Sequence, residues 1–227
     1  MEWIAAPLSE RRGSIEMYQD FRQRNVHWWR LNRRGESRTR RPYYERFLDQ
    51  LHIRAFLDGS QSLAEVGPGP FGGMIEVCSL RAAHKTFVDY ILPDLVDLHF
   101  IHWPEEGTYV HAGVENIPLP DNAVDILLSY NCLDHGWNVY AALLECIRIS
   151  RHCFLAFDCR GDDPHEVQNR QAQRDLDHFQ LLPFPEVERF VQEVGDLRGY
   201  QVDVQPWYIH KTWATAVVVV HKEGKES

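Results

Sequence analysis

The sequence predicts an α/β fold whose core is a doubly wound, mostly parallel sheet of seven strands, preceded by an N-terminal helical cap. Two patterns carry this prediction. From Ser62 onward, short β-rich runs alternate with helical stretches, and such alternation with continuous apolar strands is typical of a parallel sheet covered on both faces. In addition, the segment 67–73, GPGPFGG, directly follows the first apolar run. Ligands bind at this position in open α/β sheets, so a ligand site is expected there.

The cap is predicted from residues 15–57, which are polar and aromatic and contain no proline before Pro42. They are expected to form two or three helices ahead of the first strand. We therefore divide the chain into a helical cap or lid over residues 1–60 and a ligand-binding α/β domain over residues 61–227.

The elements of the α/β domain follow one another in a regular order. The candidate strands and helices are SLAEVG, FGGMIEVCSLRAA, KTFVD, LPDLVDLHF, TYVHA, AVDILLSY, NVYAALLECIRIS, CFLAFD, PEVERFVQEV, YQVDVQPW and TAVVVVHK. No helix separates the last two strand candidates, so these two strands are expected to pair antiparallel.

The bulk composition limits the class of protein. A chain of 227 residues suits one domain with a small appendage and can bury most of its apolar surface. Its five cysteines are odd in number and form no CxxC pair, which favours a reduced cytoplasmic protein without a zinc knuckle or a disulfide framework. The chain has no run of about 18 apolar residues, so no membrane-spanning segment is expected.

The charge is divided unevenly along the chain. Residues 1–50 hold eleven arginines and seven acidic residues, whereas the whole chain has a net charge of −9. The acidic remainder argues against a nucleic-acid surface, which needs a dense basic stripe. The arginines and aromatics of VHWWR (26–30) and RRPYY (40–44) suit an anionic or sugar-like small molecule. Alternatively, the arginines form a solvated helix surface, and Trp28 and Trp29 anchor a helix by packing.

The glycine loop by itself admits two explanations. Gly67, Gly69 and Gly72 satisfy the dinucleotide fingerprint GxGxxG. Asp89 ends the second strand about twenty residues later, where an acid binds ribose hydroxyls. This pattern alone fits an NAD(P)-dependent oxidoreductase, or merely a tight strand–helix turn.

Two further features distinguish between the possible ligands. Glu65 precedes the first glycine by two residues, and residues 114–135 are VENIPLPDNAVDILLSYNCLDH. With them the chain resembles the class I S-adenosylmethionine-dependent methyltransferases of the small-molecule type, whose first motif is similar to ExGxGxxG and whose middle carries E-x-L-P-x-x-D-x-x-x-D before the fourth strand. The matching positions of the second motif are Glu115, Ile117, Pro118, Leu119, Asp121 and Asp125. The resemblance covers residues 62–222 and implies a Rossmann-like methyltransferase fold of seven strands with the last one antiparallel.

The resemblance also implies S-adenosylmethionine as the cofactor and suggests which residues bind it. The backbone at Gly67 and Gly69 would pack against the methionine part, and Glu65 would support its amino group. Asp89 would accept hydrogen bonds from both ribose hydroxyls, with Asp94 as the reserve candidate. The remaining cofactor-binding candidates are Phe71, Val114, Glu115 and Asn131.

The chain departs from the family at the adenine site. Many relatives carry an acid after the third strand that meets the adenine amino group, but Gly113 occupies that position here. Adenine would then be bound by backbone groups near Val114 or by the Glu115 side chain.

The catalytic candidates follow the fourth strand. The segment NCLDHGWN resembles a subset of small-molecule methyltransferases with Leu-Asp-His or Leu-His-His at this point. The resemblance would place Asp134 and His135 beside the methyl group, with His135 as the base for a hydroxyl acceptor and Asp134 as the group that orients it. Alternatively, His135 packs under the adenine or caps the next helix. Cys132 is expected to be a core thiol.

A second polar segment, DCRGDDPHE (158–166), follows the fifth strand. Its Asp162, Asp163 and His165 could bind a metal or a polar acceptor. A solvated loop is favoured, because the fuller ligand pattern of a metal site is missing, and no metal is predicted.

The leading functional hypothesis is methyl transfer from S-adenosylmethionine to a polar small molecule or glycan, as O-methylation. The segment SYNCLDH lacks the prolines and aromatic residue of the enzymes that methylate DNA amino groups, and the chain has no Pro-Cys nucleophile for cytosine C5 chemistry. The alternatives are an NAD(P)-dependent oxidoreductase and a non-catalytic nucleoside-binding member of the fold. The non-catalytic alternative stays open because Gly113 occupies the position where many relatives carry an acid.

Overall fold

The computed structural model describes residues 2–5, 23, 26–27, 36–57, 59, 61–69, 73–91, 107–160, 181–209 and 213–222. The chain divides into two compact units, Met1–Gly113 and Val114–Ser227. Among the described residues, no helix has the length and apolar character needed to cross a membrane. All five cysteines carry free thiols, and four of them are buried.

The first unit is built on four parallel strands. Its elements are β1 (Glu2–Ala5), α1 (Glu36–Gln50), α2 (Ile53–Phe56), β2 (Ser62–Val66), α3 (Gly73–Val77), β3 (His84–Val88) and β4 (Thr108–His111). The strand order is β1-β4-β3-β2, and every neighbouring pair runs parallel. The connection from β2 through α3 to β3 is therefore the strand–helix–strand unit that the sequence predicts around the glycine loop.

The core of the first unit is apolar and partly aromatic. Phe87 on β3 stacks on Tyr109 of β4 with 5.4 Å between the ring centroids, and both rings are buried. The helix α1 buries Tyr44, Phe47 and Leu48, whose spacing of three and four residues places them on one face of the helix. Large buried aromatics of this kind contribute much of the packing energy of a core.

The segment predicted to be a helical cap contains both helices and a strand. The helices α1 and α2 lie where the sequence predicts helices, but β1 is a strand that the sequence pattern did not indicate. It pairs parallel with β4, with Glu2 opposite Thr108 and Ala5 opposite His111. The proposed boundary between residues 1–60 and 61–227 stays a prediction.

The second unit contains the other four strands. Its elements are β5 (Val124–Tyr130), a 3₁₀ turn (Leu133–His135), α4 (Val139–Ile149), β6 (Ser150–Arg160), α5 (Phe184–Arg198), β7 (Gln201–Ile209) and β8 (Trp213–His221). The strand order is β5-β6-β8-β7. The strands β5 and β6 are parallel, whereas β8 is antiparallel to both β6 and β7. The predicted antiparallel pairing of the last two strands is confirmed.

Local residues fix the ends of the two helices in the second unit. Asn138 caps α4, because its side-chain oxygen accepts a hydrogen bond from Ala141 N at 3.1 Å and so satisfies one of the free amides of the first turn. The helix α5 ends at Gly199, whose φ of +67° is the left-handed conformation that glycine adopts at helix ends.

The predicted fold class is confirmed as a doubly wound, mostly parallel α/β fold. The seven predicted strands correspond to β2 through β8, and β1 is added to them. Because parallel strands of one sheet end at the same edge, the ends of β2 and β3 place the glycine loop and Asp89 together in the first unit. In the second unit, the end of β5 leads directly into the Asp134–His135 segment.

Candidate functional site

The glycine loop of the first unit is bent sharply directly after β2. Gly67 and Gly69 have φ values of 70° and 63°, in the left-handed region that glycine enters without a side-chain penalty. Gly67 N donates a hydrogen bond to Val88 O at 2.9 Å, and Gly69 N donates one to Asp89 Oδ2 at 3.2 Å. The loop is thus fixed to the end of β3.

Asp89 receives backbone donors from two directions. Its Oδ2 atom accepts the hydrogen bond from Gly69 N, and its Oδ1 atom accepts one from Ile91 N at 3.0 Å. The residue is only partly buried, and carboxylate oxygens have capacity for further donors. The structure therefore brings together two residues that the sequence assigned to the cofactor, Gly69 and Asp89. The ribose role of Asp89 stays a prediction.

Glu65, at the end of β2, binds the start of α3. Its side chain is buried, with 2% of its surface exposed. One carboxylate oxygen accepts a hydrogen bond from Met74 N at 2.7 Å and the other from Ile75 N at 3.0 Å. Burial raises the pKa of Glu65 to about 8, although the two amide donors act in the opposite direction. Glu65 therefore fixes the position of α3 behind the glycine loop, and its predicted contact with the methionine amino group stays untested.

Gly73 leaves the space that the Glu65 carboxylate needs to bind the first amides of α3. A Cβ atom at residue 73 would lie 2.0 Å from Glu65 Oε1, and its φ is +60°. Both the space and the backbone conformation therefore require glycine. The group that occupies the space of a side chain at residue 73 is the Glu65 carboxylate.

In the second unit, Glu115 binds the segment that follows the catalytic candidates. Its Oε1 accepts hydrogen bonds from Trp137 N and from Asn138 N, the latter at 3.3 Å. A Cβ atom on Gly136 would lie 2.8 Å from the same oxygen. Val114, beside Glu115, is mostly buried. The adenine contacts predicted for Val114 and Glu115 stay predictions.

Asp134 and His135 lie on the 3₁₀ turn directly after β5. Asp134 is completely buried, whereas the His135 side chain keeps 22% of its surface exposed, and 3.9 Å separates His135 Nε2 from Asp134 Oδ2. Asn131, another predicted cofactor residue, has a φ of 55° and donates its backbone N–H to Ala156 O at 2.7 Å. The arrangement provides an accessible imidazole next to a buried carboxylate, which is suited to proton transfer.

The second family motif is held by charged contacts from α4. Arg148 donates to Ile117 O, Leu119 O and Asp121 Oδ1 at 2.7–2.9 Å, and Glu145 accepts from Ile117 N at 2.9 Å. These contacts stabilise the 117–121 segment. Arg148 and Glu145 were not predicted as site residues, although their spacing of three residues on a helix is a signal for an ion pair.

Several predicted residues lie outside the described part of the chain. They are Phe71, Gly72, Asp94, Trp28, Trp29, Asp162, Asp163 and His165. Among the residues that are described, no group of three or more His, Cys, Asp or Glu side chains is arranged to hold a metal ion.

Comparisons with known proteins support the interpretation of the sequence. Residues 64–152 match the family model described as a methyltransferase domain. No curated protein matches the chain by sequence. Among solved structures, the YcgJ protein of Bacillus subtilis matches with a TM-score of 0.56 at 14% identity, over 79% of this chain and 100% of its own.

Two further structures are similar at comparable levels. A Haloferax volcanii methyltransferase solved with its Trm112 activator has a TM-score of 0.61 at 12% identity, covering 88% of this chain and 98% of its own. Phosphoethanolamine N-methyltransferase 2 of Haemonchus contortus, in complex with S-adenosylmethionine, has a TM-score of 0.63 at 11% identity, covering 79% of this chain and 53% of its own. At such identities the likeness is one of fold. The chain thus matches a methyltransferase domain over residues 64–152, in a fold similar to that of class I S-adenosylmethionine-dependent methyltransferases.

Proposed function

We propose that this protein is an S-adenosylmethionine-dependent methyltransferase that transfers a methyl group to a hydroxyl of a polar small molecule or glycan. The observation that supports O-methylation is the Asp134–His135 pair, an accessible imidazole 3.9 Å from a fully buried carboxylate. A hydroxyl is a weak nucleophile until it loses its proton, so its methylation gains from a base placed next to it.

The cofactor-binding part of the proposal concerns the first unit. S-adenosylmethionine, when bound, supplies an electrophilic methyl group on a sulfonium ion. Gly67 and Gly69 leave the loop backbone free of side chains, as close approach by a ligand requires. Asp89 is a partly exposed carboxylate at the end of β3, and a carboxylate can accept both hydroxyls of a ribose with charge-assisted strength. These residues fit the ribose of a nucleoside and a part of it that lies close to the loop backbone.

The chemical part of the proposal concerns the second unit. His135 Nε2 would accept the proton of the acceptor hydroxyl, and bound S-adenosylmethionine would supply the methyl group that the acceptor oxygen takes up. Asp134 stabilises the imidazolium that forms and keeps the ring oriented. Further catalysis comes from holding the acceptor in line, which is worth several kcal/mol in well-oriented reactions.

The experiment that tests this proposal is the His135→Ala substitution. Turnover is expected to fall by about 10²–10⁴ with little change in S-adenosylhomocysteine affinity, because a base acts on the transition state. Acceptors are found first in a screen of sugars, nucleotide sugars and hydroxylated metabolites. Equal turnover of both proteins at saturating cofactor would contradict a base role.

The screen includes amines as its second arm. Two similar structures are named for amine substrates: a sarcosine dimethylglycine methyltransferase from Galdieria sulphuraria and the Haemonchus phosphoethanolamine enzyme. Activity on sarcosine or phosphoethanolamine, with none on hydroxyl acceptors, would replace O-methylation by N-methylation. Calorimetry with S-adenosylhomocysteine and with NAD provides the control for the cofactor, and binding without turnover on any acceptor would favour a non-catalytic protein.

We also propose a cytoplasmic location. The five free thiols support it, because reduced cysteines are typical of a reducing compartment.

A further inference from the structure

Two carboxylates in this protein are used in the same unusual way. Glu65 accepts hydrogen bonds from the consecutive amides of Met74 and Ile75, and Glu115 accepts from the consecutive amides of Trp137 and Asn138. In each case a glycine directly precedes the first amide. A Cβ atom on that glycine would collide with the carboxylate, at 2.0 Å for Gly73 and at 2.8 Å for Gly136.

The Glu115 contact is of interest because of what the bound segment carries. We define the catalytic turn as residues 133–138, which contain Asp134 and His135. Within it, His135 N donates to Cys132 O and Gly136 N donates to Leu133 O, both at 3.0 Å. The turn is thus closed by its own backbone, and Glu115 binds its last two residues from a separate segment of the chain.

The surroundings of Gly136 show how closely Glu115 approaches the turn. Besides the Glu115 oxygen, a Cβ atom on Gly136 would lie 3.1 Å from Leu133 O and 3.1 Å from Val114 Cγ1. The space of a side chain at residue 136 is therefore filled by its own turn and by residues 114 and 115. Such close packing leaves the turn little freedom to move relative to this segment.

The two ends of the catalytic turn are also fixed by burial. Leu133 begins the turn and Val139 directly follows it, and each has at most 1% of its surface exposed. Asn138, the last residue of the turn, caps α4 by accepting a hydrogen bond from Ala141 N at 3.1 Å. Between these fixed points, the His135 side chain keeps 22% of its surface exposed. The Glu115 carboxylate accepts hydrogen bonds from the amides of Trp137 and Asn138. Charge-assisted hydrogen bonds of this kind are shorter and stronger than neutral ones.

We propose that Glu115 is a positioning residue that holds the catalytic turn, and with it His135, in the orientation needed for proton transfer. The functional part of this assignment rests on the role proposed above for His135. It gives Glu115 a task different from the adenine contact that the family resemblance suggested. Gly136 belongs to the same device, because a side chain there would displace the carboxylate.

The test compares Glu115→Ala and Glu115→Gln with the matched control Glu186→Gln. Glu186 also anchors α4, by accepting a hydrogen bond from the Tyr140 hydroxyl, but does not contact the catalytic turn amides. Amide hydrogen exchange of Trp137 and Asn138 is measured by NMR, together with the ring C2–H resonance of His135, which is assigned from its absence in His135→Asn. The affinity of each variant for S-adenosylhomocysteine is measured by calorimetry.

In Glu115→Ala, exchange of both amides is expected to accelerate by about 10–10²-fold, the range that follows from losing a hydrogen bond to a charged group. The His135 resonance should shift, and S-adenosylhomocysteine affinity should be unchanged. Glu115→Gln retains an oxygen acceptor and should restore part of the protection. Glu186→Gln should leave the two amides and the His135 resonance as in the wild type.

Three results would overturn the proposal. Unchanged amide exchange in both Glu115 variants would show that the carboxylate does not hold the turn. Faster exchange with an unmoved His135 resonance would show that the contact is structural only. A large loss of S-adenosylhomocysteine affinity in Glu115→Ala would assign Glu115 to the cofactor. Failure of the wild type to bind S-adenosylhomocysteine would contradict the proposed function, while the exchange data would still decide whether Glu115 holds the turn.

Discussion

At the scale of single residues, two glycines are required for different physical reasons. Gly73 has a φ of +60°, which residues with a side chain rarely adopt. Gly136 has a φ of −76°, which any residue can adopt. Both would place a Cβ atom against a glutamate. Only Gly73 is therefore constrained by its backbone as well as by its neighbour.

This difference predicts opposite results in two double-mutant cycles. Gly136→Ala should destabilise the protein by about 1–3 kcal/mol, as overpacking usually does, and should cost less when Glu115 is already alanine. Gly73→Ala should remain costly when Glu65 is alanine, because the left-handed conformation alone costs about 1–2 kcal/mol. Urea unfolding of the single and double variants measures both couplings. An equal cost of Gly136→Ala in the two Glu115 backgrounds would contradict the prediction.

A second residue-scale prediction concerns Asp89. Asp89→Ala is expected to weaken S-adenosylhomocysteine binding by about 1–3 kcal/mol, because a charge-assisted partner is lost. Calorimetry measures the affinity. Asp89 also accepts hydrogen bonds from Gly69 N and Ile91 N, so thermal unfolding without ligand serves as the control for a loosened loop. Unchanged affinity would transfer the ribose role to Asp94.

The sequence singled out these residues by type and spacing but did not reveal their hydrogen-bond partners. Glu65, Gly67, Gly69 and Asp89 were found because their type and spacing follow a motif. The amides that Glu65 accepts lie nine and ten residues further along the chain, and their position depends on how α3 begins. Gly136 gave no signal, because its φ is ordinary and its constraint is a carboxylate distant in sequence.

At the scale of elements, the pairing of β6 with β8 brings two histidines together. His152 lies opposite His221 in the register, and their Nδ1 atoms are 2.9 Å apart. Burial lowers the pKa of both, and the neighbouring His221 and Arg151 lower that of His152 further, whereas Asp125 acts in the opposite direction.

This pair predicts a loss of stability in mild acid. Both folded-state pKa values lie below the ordinary value of 6.5, so the unfolded chain binds more protons than the folded one, and the free energy of unfolding falls as pH decreases through 6.5. His221→Gln should make this dependence shallower. Urea unfolding across that interval compares the two proteins, with His84→Gln, on β3 of the other unit, as the control. An equal slope in wild type and His221→Gln would contradict the prediction.

The elements that the sequence predicted are those with strong local patterns. The run TAVVVVH and the absence of a helix before it were sufficient to predict the β7–β8 hairpin. The strand β1 could not be predicted in the same way, because four residues are too few to show a periodicity. Its partner β4 begins at Thr108, more than one hundred residues away.

At the scale of the whole molecule, the fold class was predictable because it depends on the order of strands and helices along the chain. The alternation from Ser62 onward and the glycine loop after β2 are properties of sequence alone. The functional assignments depend instead on side chains that meet only after folding, such as Glu115 with the turn that carries His135. The family resemblance suggested these residues as site residues, and the folded geometry is the basis for the separate tasks proposed for them.

A whole-molecule prediction follows from the cofactor assignment. A ligand that binds only the folded state at 100 times its Kd stabilises the protein by about 2.7 kcal/mol. For a chain of this length, a shift of about 2–4 °C per kcal/mol implies that S-adenosylhomocysteine should raise Tm by about 5–10 °C.

The control ligand and variants make this measurement specific. NAD at the same concentration should leave Tm unchanged, because the glycine loop is assigned to the methionine part of S-adenosylmethionine. Asp89→Ala should show a smaller shift than the wild type at equal S-adenosylhomocysteine concentration, since linkage converts weaker binding directly into less stabilisation. Glu115→Ala should keep the full shift, because its carboxylate is assigned to the catalytic turn. Stabilisation by NAD with none by S-adenosylhomocysteine would contradict the cofactor assignment at the level of the whole protein.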